Sequence, residues 1–106
     1  MIARIWHGWT PAAKADTYVD YVRGTGVREQ TSLQGNRGDF VLRRIEGDKA
    51  HFIVLSLWDS MEAVRRFSPD PEKAVFYPED DQYLLELTPG IEHYEAVVSP
   101  DVFSER

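Results

Sequence analysis

Two neighbouring segments in the middle of the chain constrain the fold most, because each is a predicted strand with apolar side chains on both of its faces. They run from about Asp39 to Glu46 and from about Lys49 to Trp58, and the Gly47-Asp48 pair between them is typical of a two-residue hairpin turn. Side chains alternate along a strand, so a sheet with one wet face alternates apolar and polar residues. Phe52 to Leu57 instead carries apolar residues at both odd and even positions. Both faces of this hairpin therefore need a cover.

The segments before the hairpin predict a strand and a helix. A β-branched and aromatic run from Ile2 to Trp9 predicts the first strand. Thr10-Pro11 is typical of a helix start, and Gly24 is placed to end that helix before a polar connection from Thr25 to Arg37. One apolar stripe at helical spacing consists of Ala15, Tyr18, Val19 and Val22.

The segments after the hairpin predict two further helices and a strand. Asp59 to Glu62 resembles a capping box with Asp59 at the cap, and the helix it begins runs to about Phe67. A short helix is expected from Asp70 to Tyr77, between two prolines. A solvated acidic stretch, a last strand and a frayed tail follow at Glu79–Gln82, Ile91–Val98 and about residues 99–106.

This order of elements favours one α+β architecture, the ferredoxin-like βαββαβ fold. A single domain of 106 residues would have a four-stranded antiparallel sheet with its helices on one face. Two helices cover only one face of the sheet, whereas the hairpin is apolar on both. A second copy packed on the open face is the simplest cover, so the sequence predicts a homodimer.

Composition excludes several classes of protein. The chain has no cysteine, which excludes disulfides and thiolate metal sites. Its net charge of −6 comes from scattered charges, and a nucleic-acid partner is not expected. No run approaches the roughly 20 apolar residues that span a bilayer, and Met1 to His7 does not resemble a signal peptide. A cytoplasmic protein without a membrane partner is therefore expected.

Several motifs together resemble antibiotic biosynthesis monooxygenase (ABM) domains, a family of the dimeric α/β-barrel group. They are Met1 to Trp6, Leu55 to Ala63, Tyr77 to Glu79 with the following Tyr83 to Leu85, and Glu92 to Glu95. The resemblance covers nearly the whole chain. It implies the same fold and twofold dimer, and a small-molecule pocket between helices and sheet.

The resemblance also bears on haem. Haem-degrading relatives use an Asn late in the first strand, a Trp on the second helix and a His on the next helical segment. The positions that match here hold His7, Phe67 and Phe76, none of which is the family residue. Haem binding is therefore not expected, and we expect the protein to use no cofactor.

Four polar residues are candidates for catalysis. His7 and His93 are candidate bases, since imidazole titrates near neutrality, and their strands are neighbours in this fold. Arg4 and Tyr77 are candidate donors to an anionic substrate. Each also has a plainer interpretation. The two histidines can be ordinary hydrogen-bonded strand residues, Arg4 can form an ion pair between subunits, and Tyr77 can simply pack at an interface.

Aromatic side chains are the candidates for a pocket lining, or else they simply fill the core. Alternation prevents Trp6 and His7 from facing the same side of the sheet, so only one of them can lie in such a pocket. His51 is a third histidine, but no spacing typical of a metal site accompanies it, and no metal is predicted. The candidate pocket residues are Trp6, Trp9, Trp58, Phe67 and Phe76.

The sequence leaves three functions open. The resemblance favours a cofactor-independent monooxygenase that acts on a small aromatic phenol, quinol or polyketide-like substrate. A non-enzymatic dimeric module that binds a small apolar ligand, in a stress response for example, and an isomerase of the muconolactone type fit the same fold.

Overall fold

The computed structural model describes residues 1–87 and 90–103. Its sheet is antiparallel throughout, in the order β2-β3-β1-β4, with β5 pairing to β1 on the same side as β4. This order is the one that the ferredoxin-like prediction requires. The strands are β1 (Ile2–Pro11), β2 (Asn36–Glu46), β3 (Lys49–Trp58), β4 (Glu86–Leu87) and β5 (Glu92–Glu95).

The central hairpin is confirmed. β2 and β3 pair continuously from Gly38 opposite Leu57 to Glu46 opposite Lys49. Gly47 has a φ of +65°, the left-handed conformation that a tight hairpin turn needs and glycine adopts without strain.

The last strand differs from its prediction. The chain pairs with β1 in two short pieces, β4 and β5, instead of one strand from Ile91 to Val98. Ile91 turns away from the ladder because it is buried and its N–H bonds the Glu72 carbonyl. Pairing ends soon after Glu95, where Ala96 reaches the first residue of the chain. The connecting Thr88 and Pro89 lie outside the described residues.

The first helical region is longer than predicted. A 3₁₀ turn (Ala12–Lys14) leads into α1 (Ala15–Val22), a π turn (Arg23–Val27) and α2 (Arg28–Thr31) without a break. The prediction that Gly24 ends the helix is wrong, since Gly24 has no positive φ. A glycine ends a helix when the chain needs the left-handed conformation, and here it does not.

The second predicted helix ends where expected, but the residue that caps its start is not the predicted one. α3 (Met61–Phe67) begins after Ser60, whose hydroxyl accepts a hydrogen bond from the Ala63 N–H. The predicted cap Asp59 pairs with Arg37 instead.

The expected helix from Asp70 to Tyr77 is absent from the structure. That segment is a turn and a loop, and its Pro71 and Lys73 carbonyls accept hydrogen bonds from the Arg4 guanidinium of β1. The next helix, α4 (Asp80–Tyr83), lies in the stretch predicted to be a solvated connection. The Tyr77 N–H donates to the Asp80 carboxylate just before that turn and stabilises its start.

The core lies between the helices and one face of the sheet, formed by even-numbered positions of β1 and β3. Phe52 and Trp58 are fully buried there, against α1 and α3. The other face, called the open face below, carries Phe40 and Leu42 from β2 with 42% and 45% of their surface exposed.

The C-terminal segment reaches the open face. A 3₁₀ turn (Asp101–Phe103) brings the Phe103 ring to 5.7 Å from that of Phe40, centroid to centroid. Residues 104–106 of the predicted frayed tail lie outside the described residues. No helix in the described part of the chain is long and apolar enough to cross a membrane.

A candidate small-molecule site beneath the helices

A narrow, partly open cavity lies between the helices and the buried face of the sheet. Its floor comes from β1 and β3, one wall from α1, the π turn and α2, and the other from α3 and the loop before α4. Its lining includes Arg4, Trp6, Gln30, Phe67, Tyr77 and Asp80.

Arg4 is a buried cation on the cavity floor. Only 3% of the residue is exposed, and its guanidinium donates to the carbonyls of Pro71 (2.6 Å) and Lys73 (3.3 Å). No carboxylate of the described residues pairs with it, and burial lowers its pKa to about 10. The ring of Phe67 lies 5.6 Å from its Cζ. A buried charge without a counterion favours an anion beside it.

His93 lies beside Arg4 on β5. Its Nε2 is 3.1 Å from the Arg4 Nη1, and because arginine can only donate, this nitrogen is the acceptor. Burial and the Arg4 charge lower the pKa of His93, which keeps the ring neutral. His93 therefore orients the guanidinium, and its accepting nitrogen is already engaged.

Gly8 allows Trp6 to line the cavity. Both lie on the buried face of β1, and a Cβ added at Gly8 would stand 2.2 Å from the Trp6 Cη2. The far end of the indole therefore occupies the space beside Gly8, and any side chain there would displace it.

Tyr77 and Asp80 form the polar mouth of the cavity. The Tyr77 hydroxyl donates to Glu29 at 2.8 Å, and burial and this carboxylate raise its pKa. Burial also raises the pKa of Asp80, against the hydrogen bonds from the Tyr77 N–H and the Tyr21 hydroxyl. Asp80 is the carboxylate of the cavity lining, and a raised pKa makes it the stronger base.

Gln30 on α2 is a second lining residue that the sequence did not single out. It is buried, and its Oε1 has no hydrogen-bond partner among the described residues. Glutamine on a helix after a polar connection gives no sequence signal for this. Asp80 does carry a signal, the acidic run that follows Tyr77-Pro78, but such a run is equally typical of solvated surface.

The predicted site residues divide between the two faces of the sheet. Arg4, Trp6, Phe67 and Tyr77 line the cavity, with His93 behind Arg4. His93 pairs in register with Arg4 and its side chain lies on the buried face, whereas His7 lies on the open face, so the two candidate bases do not meet.

The other predicted residues lie away from the cavity. Trp9 is on the open face, where its ring stacks on His51 at 4.5 Å, and the His7 Nδ1 lies 2.9 Å from the His51 Nε2. Trp58 is buried in the core beneath α3, and its indole N–H bonds the Ser56 hydroxyl. Phe76 has 66% of its surface exposed and does not line the cavity.

The donor set of the cavity does not fit haem. None of the described lining residues is a histidine or a methionine, and the chain has no cysteine. Tyr18 and Tyr77 are the phenolic hydroxyls among the described lining residues, and burial raises the pKa of both, which opposes a tyrosinate ligand. In the described part of the chain, no three His, Asp or Glu side chains are grouped so as to hold a metal ion.

Solved structures share this fold over almost the whole chain. A protein of Nitrosomonas europaea, assigned as an antibiotic biosynthesis monooxygenase, has a TM-score of 0.69 at 11% identity and covers 92% of this chain and 100% of its own. A Bacillus cereus protein with the same assignment has a TM-score of 0.64 at 14% identity, with 93% and 95% covered. The haem degrader MhuD of Mycobacterium tuberculosis, solved with two haems in its active site, has a TM-score of 0.59 at 17% identity, with 94% and 99% covered.

No protein-family model matches the sequence, and no curated protein matches it. The structural likeness therefore establishes the fold, and it confirms the ferredoxin-like architecture and the resemblance of this fold to ABM domains.

Proposed function

We propose that the protein is a monooxygenase that oxidises a small aromatic phenol or quinol without a cofactor. The observation that carries this proposal is Arg4, a buried guanidinium with no carboxylate partner among the described residues, on the floor of an aromatic cavity. An aromatic hydroxyl that loses its proton there becomes the missing counterion. The oxygenase assignments of proteins with this fold support the same reaction class.

The reaction needs a base, an anion site and protection from water. Asp80 takes the proton of the hydroxyl, and Arg4 stabilises the resulting anion, which is electron-rich enough to reduce O₂. Transfer of one electron gives superoxide and a substrate radical, which join as a C–O bond on a ring carbon that bears hydrogen. The O–O bond then breaks with return of the proton from Asp80. The ring carbon loses its hydrogen as a proton when the O–O bond breaks, and the departing oxygen takes up that proton and the one from Asp80 and leaves as water. The other oxygen atom remains as a carbonyl, so the substrate supplies all the electrons that reduce O₂.

The remaining side chains have positioning roles in this proposal. His93 holds Arg4 in place, and Trp6 and Phe67 bind the ring of the substrate. Tyr77 lies at the mouth and donates to Glu29, so it orients that wall. His7, on the open face, has no part in the reaction.

Oxygen uptake with a panel of quinols and anthrones tests the proposal. We expect uptake by the wild-type protein, with a rate about 100-fold lower in Asp80→Asn and strongly reduced in Arg4→Gln. Asp20→Asn removes an exposed carboxylate of α1 that is not among the causes of the Asp80 pKa shift, and it is the matched control, with an unchanged rate.

Four results would overturn the proposal. Full activity of Asp80→Asn would show that Asp80 is not the base. Turnover without oxygen consumption would indicate an isomerase. Tight binding of these compounds without turnover would indicate a binding module. A haemin titration with a Soret shift at one equivalent would show that the cavity takes a cofactor.

We also propose that the protein is a homodimer joined through the open face. Phe40, Leu42 and Tyr94 are exposed on this face beside Ile53 and Leu55, and an apolar patch of this kind is uncommon on a monomer. Arg44 and Glu92 also lie on this face, and each already has a partner within the chain: Arg44 pairs with Glu46, and Glu92 accepts from the Tyr94 hydroxyl.

A further inference from the structure

The amide of Gln30 is a buried polar group that the reaction proposed above does not use. Only 7% of the residue is exposed, and its side chain forms part of the cavity wall on α2. Its Oε1 is buried and accepts no hydrogen bond from any described residue. Buried acceptors in proteins are nearly always paired, so an unpaired one in a cavity wall calls for a partner from the cavity itself.

Neighbouring polar groups around the cavity already have partners of their own. Arg4 donates to two loop carbonyls and His93, the Tyr77 hydroxyl donates to Glu29, and the Thr25 hydroxyl donates to the Tyr21 carbonyl at 2.8 Å. None of these donors reaches Gln30. Where it stands, Oε1 has almost no accessible surface, so a ligand in the cavity can supply the missing donor when the Gln30 side chain turns its amide toward the cavity.

We propose that Gln30 accepts a hydrogen bond from a neutral hydroxyl or N–H group of the ligand whose anionic oxygen binds Arg4. The ligand is then a planar aromatic compound with two different polar substituents, an acidic oxygen at one position and a neutral donor at another. The inference rests on the proposed function only in placing the ligand in this cavity, and it does not depend on oxygen chemistry.

Gln30 in this role is a specificity residue. A site that holds an unpaired acceptor favours a ligand with the matching donor over one that lacks it, because the second ligand leaves the acceptor buried and unpaired. An amide can turn by 180° and then donates instead of accepting. The test therefore has to separate donors from acceptors on the ligand.

Binding of substituted naphthoates under nitrogen, measured by calorimetry, provides this test. The probes are 2-naphthoate, its isomers with one ring hydroxyl, and the corresponding methoxy compounds, which can only accept. The carboxylate supplies the anion for Arg4. We expect at least one hydroxyl isomer to bind about tenfold more tightly than 2-naphthoate, and its methoxy counterpart to lose that advantage.

Two substitutions assign the effect to Gln30. Gln30→Met keeps the length of the side chain without its hydrogen bonding, and we expect it to bind the hydroxyl isomer and 2-naphthoate with equal affinity. Gln82→Met makes the same change at an exposed position of α4 and should leave the tenfold preference intact.

The outcomes separate this inference from the proposed function. A preference that survives in Gln30→Met, a methoxy compound that binds as well as its hydroxyl counterpart, or no binding of any naphthoate would overturn it. If Gln30→Met does not fold, the inference is tested by the wild-type protein alone, from the ratio of its affinities for the hydroxyl isomer and the methoxy counterpart. A hydroxyl preference that depends on Gln30 in a protein without oxygen uptake would support the inference and contradict the oxygenase.

Discussion

At the scale of single residues, the pair formed by Arg4 and His93 sets the chemistry of the cavity. The guanidinium is fixed by loop carbonyls and by the imidazole, with no described carboxylate to neutralise it. Such an arrangement costs stability in the ligand-free protein and favours the binding of an anion. Because the His93 ring accepts a hydrogen bond from Arg4, protonation of His93 would break this contact.

The stability of the protein should depend on pH through His93. Burial and Arg4 lower its pKa in the folded state, while the unfolded chain has the ordinary value of about 6.5. Below that value the unfolded chain binds a proton that the folded protein resists, so stability present above about pH 6.5 is lost as the pH falls through the lower, folded-state pKa.

Urea unfolding of the wild-type protein and His93→Gln between pH 5 and 7 measures this effect. Glutamine still accepts a hydrogen bond from Arg4 but does not titrate. We expect the free energy of unfolding of the wild type, relative to the variant, to fall as the pH is lowered. A difference that stays constant over this range would contradict the assigned role.

At the scale of elements, the cavity depends on how β1 and the first helical region are built. The π turn carries Thr25, Gly26 and Val27 into the cavity wall, and turns of this kind are frequent at functional sites. Opposite that wall, the indole of Trp6 lies over Gly8 on β1. The absence of a side chain at one strand position therefore determines the shape of the floor.

Gly8→Ala should damage the cavity more than the fold. The added Cβ would overlap the far end of the indole, which has to move into the cavity or away from it. We expect 2-naphthoate to bind several-fold more weakly and the protein to lose about 1–3 kcal/mol of stability. Calorimetry and urea unfolding measure the two effects.

Gly24→Ala is the matched control for this substitution. A Cβ at Gly24 meets no atom within 4 Å, so both properties should remain near those of the wild type. Unchanged naphthoate affinity in Gly8→Ala would mean that the Trp6 indole is not part of the binding site.

At the scale of the whole molecule, the two faces of the sheet differ in how they are covered. One face is covered by helices and forms the core and the cavity, while the other carries apolar side chains with little of the chain over them. The hydrophobic effect favours removing such a surface from water. A second copy of the chain would do so, and this is the assembly proposed above.

Leu42→Glu tests this assembly by placing a charge in the open face. We expect the wild-type protein to have the mass of two chains by light scattering at micromolar concentration, and the variant to have the mass of one. Ile45→Glu is the control, because Ile45 is equally exposed but its side chain lies on the opposite face of the same strand. A wild-type mass of one chain, or a dimer that survives Leu42→Glu, would contradict the proposed interface.

Much of the fold followed from local pattern. The hairpin at Gly47-Asp48, the first strand and the helix ending at Phe67 were predicted because alternation, turn chemistry and helical spacing act over a few residues. The errors fell where distant contacts decide. Gly24 does not end a helix, the Asp70 to Tyr77 loop gives its carbonyls to Arg4, and the last strand is interrupted where Ile91 bonds Glu72.

The sequence by itself determined the architecture and restricted Trp6 and His7 to opposite faces, because a strand has a period of two whatever it packs against. Only the tertiary structure decided which of them faces the cavity: Trp6 lies beneath the helices and His7 on the open face. It also brought Gln30 and Asp80 to the cavity from helices distant in the chain. The reason is physical, since periodicity fixes relative orientation within one element, whereas burial and unpaired hydrogen-bonding groups arise only when separate elements pack together.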